Sequence, residues 1–113
     1  MHELALTEGI IAIVEQEGKK HGFTRVLEIS LKVGELSGVI PECLLEFFPI
    51  ASRGTLAEGA ALTVETLPAA FRCRSCGFEG AIPRHSAACP QCGSEAIRLV
   101  RGREFFVDNL KVE

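Results

Sequence analysis

Two groups of residues in this 113-residue chain carry donor atoms at spacings suited to metal ions. The first is Cys73, Cys76, Cys89 and Cys92, a C-x2-C-x12-C-x2-C array. Each pair lies in a short turn, Cys73-Arg74-Ser75-Cys76-Gly77 and Cys89-Pro90-Gln91-Cys92-Gly93. Two intervening residues let both thiolates of a pair reach one tetrahedral ion. The glycine after each second cysteine suits a backbone of positive φ. Four sulfurs close the coordination sphere, so with zinc the site is structural and has no open position for catalysis. The spacing between the pairs is shorter than in common four-cysteine patterns, but the twin C-x-x-C-G turns make the signal specific.

The second group is the N-terminal Met1-His2-Glu3. A bulky residue at position 2 is expected to hinder removal of the initiator methionine, leaving Met1 to supply the α-amine. That amine, the His2 amide and the His2 imidazole can close adjacent chelate rings, and the Glu3 amide can complete four nitrogens in a plane. Such a set suits Ni(II) or Cu(II) rather than zinc or magnesium. At a helix start the first N–H groups lack intrahelical acceptors and are available to deprotonate and bind. The helix dipole disfavours a cation there, which the deprotonated amides and the Glu3 carboxylate would offset. From the residues alone the preferred reading is a solvated, frayed terminus carrying an incidental histidine.

Charge and composition narrow the remaining classes. Hydrophobic residues make up 47% of the chain and charged residues 24%, ordinary for a soluble globular domain. No apolar run approaches the roughly 18–20 residues of a membrane span, and no basic leader precedes an apolar stretch. Five cysteines, four of them in metal spacing, fit a reducing cytosol better than a disulfide framework. The net charge of −3 is uneven. Residues 71–104 hold six arginines against three glutamates. A zinc tetrathiolate carries −2 of its own and offsets most of that local excess. Nucleic-acid modules usually add a pronounced basic face and aromatic platforms. This chain has no Trp or Tyr, and Phe71 and Phe78 are the aromatics nearest the cysteines. No nucleic-acid partner is expected; a zinc-ribbon adaptor for nucleic acid or protein is the alternative reading, and an iron tetrathiolate carrier a third. No nucleophile–base arrangement or phosphate-binding loop is visible, so no enzymatic activity is expected.

The elements that must position these groups follow from periodicity. Residues 3–20 read as an amphipathic helix with Leu6, Ile10, Ile13 and Val14 inward, ended by Lys19, Lys20, His21 and Gly22. Leu27, Ile29, Leu31 and Val33 alternate with polar residues, a strand buried on one face. A second helix is predicted from Pro41, with Leu44, Leu45, Phe47 and Phe48 inward and Pro49 kinking or ending it. Cys43 reads as a small buried residue within it, and Glu42 with Glu46 as a solvated face. Leu62–Glu65 suggests a strand stopped at Pro68, and residues 97–112 two strands bent at Gly102. His85 is read as solvated, with an auxiliary metal or partner contact as the sharper alternative. The predicted fold is α+β: a small mixed three-stranded sheet with two helices, interrupted by an inserted four-cysteine zinc-ribbon module. Residues 1–68 with 103–113 form the α+β domain, and 69–102 the inserted zinc-binding domain.

Several segments together resemble a known family. Met1-His2-Glu3 opening an amphipathic helix, Gly54-Thr55-Leu56-Ala57-Glu58-Gly59-Ala60, the two C-x-x-C turns, and Gly102-Arg103-Glu104-Phe105 with Leu110 are similar to the HypA/HybF hydrogenase-maturation proteins. The resemblance spans essentially the whole chain. It implies a cytoplasmic nickel metallochaperone with Ni(II) as transient cargo at His2, beside Met1 and Glu3. It implies structural Zn(II) on Cys73, Cys76, Cys89 and Cys92. It further implies a HypB-type GTPase partner and delivery to the large subunit of a nickel–iron hydrogenase, by a monomer or homodimer. Some members place histidines beside each cysteine pair, where acid-linked rearrangement of the zinc site has been proposed. Here those places hold Gly77-Phe78 and Gly93-Ser94, so that behaviour is not expected.

Overall fold

The computed structural model describes residues 2–82 and 86–113, with side chains from Glu3 onward. The first helix, α1, spans His2–His21. Its buried stripe is Glu3, Thr7, Ile10, Ile11, Val14 and Gly18, residues three or four apart on one face. Ile13 was expected inside and is 46% exposed. At about 100° per residue it falls roughly 60° outside the stripe defined by Ile10 and Val14. Buried Thr7 satisfies its hydroxyl by donating to the Glu3 carbonyl at 2.7 Å. The helix ends where Gly22 takes φ 80°, and the Gly22 N–H returns to the Gly18 carbonyl at 2.7 Å. His21, besides lying at that end, pairs with Glu17 one turn earlier at 3.4 Å.

The first strand, β1, runs Val26–Gly34 and buries Val26, Ile29, Leu31 and Val33. Leu27 is exposed, contrary to strict alternation. The inward parity changes between Val26 and Ile29, so one residue of the expected apolar row turns outward. Helix α2 spans Pro41–Ala51 after an extended Ile40. It turns Leu44 and Phe48 inward and packs on α1. Leu45 faces outward and Cys43 is half-buried rather than fully enclosed. The helix continues two residues past Pro49. A proline this close to the C-terminal end removes a single late helical hydrogen bond, and the Ser52 N–H still reaches the Phe48 carbonyl at 2.9 Å.

Strand β2 is Ala61–Leu67 and the last strand, β6, is Phe105–Val112. With β1 between them they form a three-stranded sheet of order β2-β1-β6. The Gly54–Ala60 segment fastens helix to strand: the Leu56 N–H donates to Glu15 at 3.2 Å, and the Leu56 carbonyl accepts the Val26 N–H at 3.0 Å. This is the α+β architecture with two helices that the periodicity predicts.

Two short strands were not anticipated, β3 (Ala70–Cys73) and β4 (Glu79–Gly80). With β5 (Ile97–Arg101) they make a second sheet, β4-β3-β5, with both pairings antiparallel. Four- and two-residue strands are too short to show a period in sequence.

The chain divides into two units. One is Met1–Lys32, Val39–Glu65 and Phe106–Glu113; the other is Val33–Gly38 with Thr66–Phe105. Residues 33–38 join the second unit through backbone bonds: Gly34 N–H to the Glu104 carbonyl and Leu36 N–H to the Gly102 carbonyl, both 2.7 Å. Glu35 adds a carboxylate that accepts the Ala69 N–H at 2.6 Å. A Cβ on Gly34 would collide with the Gly102 carbonyl, so this crossing requires glycine. Among the described residues, no helix is long and apolar enough to cross a membrane.

Candidate metal centres

The second sheet carries the cysteines. Cys73 ends β3, opposite Ile97 on β5. The two turns repeat one backbone pattern. In the first, Cys73 N–H bonds to the Phe78 carbonyl at 2.8 Å and Gly77 N–H to the Cys73 carbonyl at 3.0 Å. In the second, Cys89 N–H bonds to the Ser94 carbonyl and Gly93 N–H to the Cys89 carbonyl, both at 2.8 Å. Gly77 and Gly93 take φ 82° and 79°, as the C-x-x-C-G spacing predicts.

These turns bring all four sulfurs within 4.8 Å of one another. Cys73 Sγ lies 3.6 Å from Cys92 Sγ, and Cys76 Sγ 3.7 Å from Cys89 Sγ. A disulfide would need about 2.05 Å. Four ligands at about 2.3 Å from a tetrahedral zinc lie roughly 3.8 Å apart, so the cluster is suited to structural zinc. Cys73 and Cys89 are buried, whereas Cys76 and Cys92 are exposed.

The thiols titrate unequally. Backbone N–H bonding from Cys76, with help from Ser75 and the neighbouring thiols, outweighs burial and draws Cys73 down to about 6. Cys92 accepts a backbone bond from Ser94 that lowers its value, but burial and the other three cysteines drive it up to about 12. Without metal, then, negative charge settles first on Cys73 and is resisted at Cys92. A bound dication lowers that resistance by offsetting two of the four thiolate charges.

Glu79 on β4 grips Arg72 on β3 through Nε at 3.1 Å and Nη2 at 2.8 Å, and Arg101 on β5 at 3.1 Å. Both guanidiniums hold its carboxyl below the ordinary range. Two of the six arginines that motivated a nucleic-acid reading are thus engaged within the sheet.

The N-terminal group is only partly described. Met1 lies outside the described residues, as does His85, and of His2 the backbone alone is described, opening α1. Glu3 sits in the first turn and is 5% exposed. Its burial was not legible in sequence, where an acidic residue near a terminus reads as solvated. An acidic side chain in that position complements the positive end of the helix. Sequence reasoning also passed over Ser75, Gln91 and Ser94. The Ser75 and Ser94 hydroxyls meet at 2.9 Å, and Gln91 donates to sulfur. Their positions between or beside the cysteines were the available signal.

A model of the family described as hydrogenase/urease nickel incorporation, metallochaperone, hypA matches residues 1–112. The chain belongs to the HypA family. It is therefore a member of a family of nickel metallochaperones. A full-length relative, the hydrogenase maturation factor HypA of Acidithiobacillus ferrooxidans, is 41% identical over 113 residues, covering 100% of both chains. The fold matches the solution structure of a HypA protein with a TM-score of 0.77 at 19% identity, covering 100% of this chain and 97% of that one. It also matches the solution structure of the Ni metallochaperone HypA from Helicobacter pylori, with a TM-score of 0.72 at 20% identity, covering 99% and 97%. HypA relatives of this length work in hydrogenase maturation.

Proposed function

We propose that this HypA-family chain carries Ni(II) at its N-terminus, on Met1, His2 and Glu3, and releases it to the large subunit of a nickel–iron hydrogenase. The observation that carries the reading is that α1 opens at His2. The first-turn N–H groups have no intrahelical acceptor and are free to join an amine and an imidazole around one ion. Buried Glu3 supports it by placing acidic charge at the helix end, where the dipole alone would repel a cation. A site at a chain end can be dismantled one ligand at a time, which transfer to another protein requires.

In this reading Cys73, Cys76, Cys89 and Cys92 hold zinc permanently. Residues 69–102 form the zinc-binding domain, and 1–68 with 103–113 the nickel-binding one. The chain performs no catalysis of its own, works in the cytoplasm and receives help from a HypB-type GTPase. Nickel affinity falls as pH falls, because amine, amide and imidazole nitrogens must lose protons before they bind. The test is a nickel titration of untagged protein against His2→Ala and against a variant extended at the N-terminus. Both changes are expected to abolish tight binding while leaving the zinc content unchanged. Wild-type nickel affinity in both would refute the assignment.

A further inference from the structure

The two cysteine turns share a backbone but differ in the residue just before the second cysteine. In the first turn it is Ser75, whose hydroxyl meets that of Ser94 in the other turn. In the second it is Gln91, which makes two hydrogen bonds to sulfur. Its backbone N–H donates to Cys89 Sγ within its own turn, at 3.4 Å. Its side-chain Nε2 donates to Cys76 Sγ of the opposite turn, also at 3.4 Å. Those two sulfurs are neighbours at 3.7 Å. One residue therefore holds a sulfur from each turn along a single edge of the cluster.

Cys76 and Cys92 are the exposed cysteines, and so the ones through which a competing chelator or an electrophile enters. Among the described residues no side-chain amide donates to Cys92. The exposed pair is thus asymmetric: a side-chain amide reaches Cys76, whereas Cys92 has the backbone bond from Ser94.

We propose that Gln91 is a positioning residue of the cysteine centre, whose amide fixes and covers Cys76 and slows loss of zinc through that ligand. The inference rests on the zinc reading above and adds the residue that governs metal exchange. The physical basis is general. An N–H donated to a metal-bound thiolate shares its negative charge and fixes its orientation, and partners of this kind typically account for 10–100-fold in metal affinity. The amide is also neutral at every accessible pH, so the brace does not loosen by titrating.

The experiment uses full-length protein loaded with stoichiometric zinc. Zinc transfer to a chromogenic chelator is timed, and the order of cysteine alkylation by iodoacetamide is read by mass spectrometry. Gln91→Ala is expected to speed zinc transfer roughly tenfold. Gln91→Glu, of the same length but without the donor, is expected to speed it at least as much. In wild-type protein Cys92 reacts before Cys76; in both variants Cys76 reacts first or together with it. Ser94→Ala removes the other link between the turns and is expected to keep the wild-type order, which separates the amide's effect from general loosening. Wild-type transfer rates in Gln91→Glu, or Cys92 still reacting well ahead of Cys76 in both variants, would overturn the proposal. A wild-type protein that cannot be loaded with zinc overturns it as well, and with it the zinc reading; the two failures are told apart by metal content alone.

Discussion

The α+β unit buries Ile10, Val14, Val26, Ile29, Leu31 and Leu44 to 1% exposure or less. In the four-cysteine unit the buried side chains are Val33, Ala69, Ala70, Cys73 and Cys89, one branched aliphatic among small residues. Each large aliphatic side chain contributes about 1.5–3 kcal/mol on burial, so the first unit accumulates stability from many modest contributions. Among the described residues the second has one such side chain, Val33, and draws its stabilisation chiefly from one point. Bound structural zinc supplies on the order of 10 kcal/mol in comparable small modules, though only while all its ligands are present. A distributed core tolerates the loss of one member; a four-ligand centre does not. That difference suits a carrier whose cargo leaves while its structural ion stays.

Breaking the centre should give the largest effect. Cys73→Ala is expected to remove most of that zinc contribution and unfold residues 66–105, while α1 and α2 keep their far-UV helical signal. Amide NMR spectra with and without zinc would check it, and simultaneous loss of both signals would show the units to be inseparable. Leu44→Ala is expected to cost about 2–5 kcal/mol through lost burial and a cavity. Denaturant unfolding would measure the cost, and zinc content should remain stoichiometric. Gly34→Ala tests the second unit without touching a ligand. Its new Cβ meets the Gly102 carbonyl, and a loss of roughly 1–3 kcal/mol is expected from that overpacking, read by the same unfolding experiment.

The smallest effect concerns the Arg72–Glu79–Arg101 cluster. Because the folded-state pKa of Glu79 is depressed, its contribution is complete above the ordinary carboxylate value. It is lost as pH falls through the lower, folded value. Glu79→Gln is therefore expected to narrow the stability difference from wild type as the solution is acidified, with near-equality below that range. A difference that grows on acidification would contradict the assigned pairing. On the α+β side the sign reverses. Lys32 is held above its ordinary value, chiefly by the hydrogen bond to Glu65, so the lysine's part of that pair is complete at neutral pH and is lost as strongly alkaline solution deprotonates it.

Much of the architecture was legible because its signals are local. The stretch from Leu6 to Val14 and the endings at Gly22 and Gly34 announce their elements through period and punctuation. The errors fall where packing, not period, chooses the outcome. Ile13, Leu27 and Leu45 are apolar and sit at or near expected inward positions, yet face outward. A helix or strand can rotate or shift parity to suit its neighbours without any change of composition. Strands β3 and β4 went unseen because they exist only through pairing with each other and with β5.

The same division holds for the metal chemistry. The sequence by itself determined the candidate ligands: each C-x-x-C-G turn can bring its two sulfurs to one tetrahedral ion whatever surrounds it, because that geometry is contained within five residues. Tertiary structure alone decided which sulfurs are buried and which are reached by Gln91, since those facts depend on how one turn faces the other. It also decided that Glu3, the third residue, is enclosed. A side chain's burial is a property of what packs over it, which the local sequence does not carry.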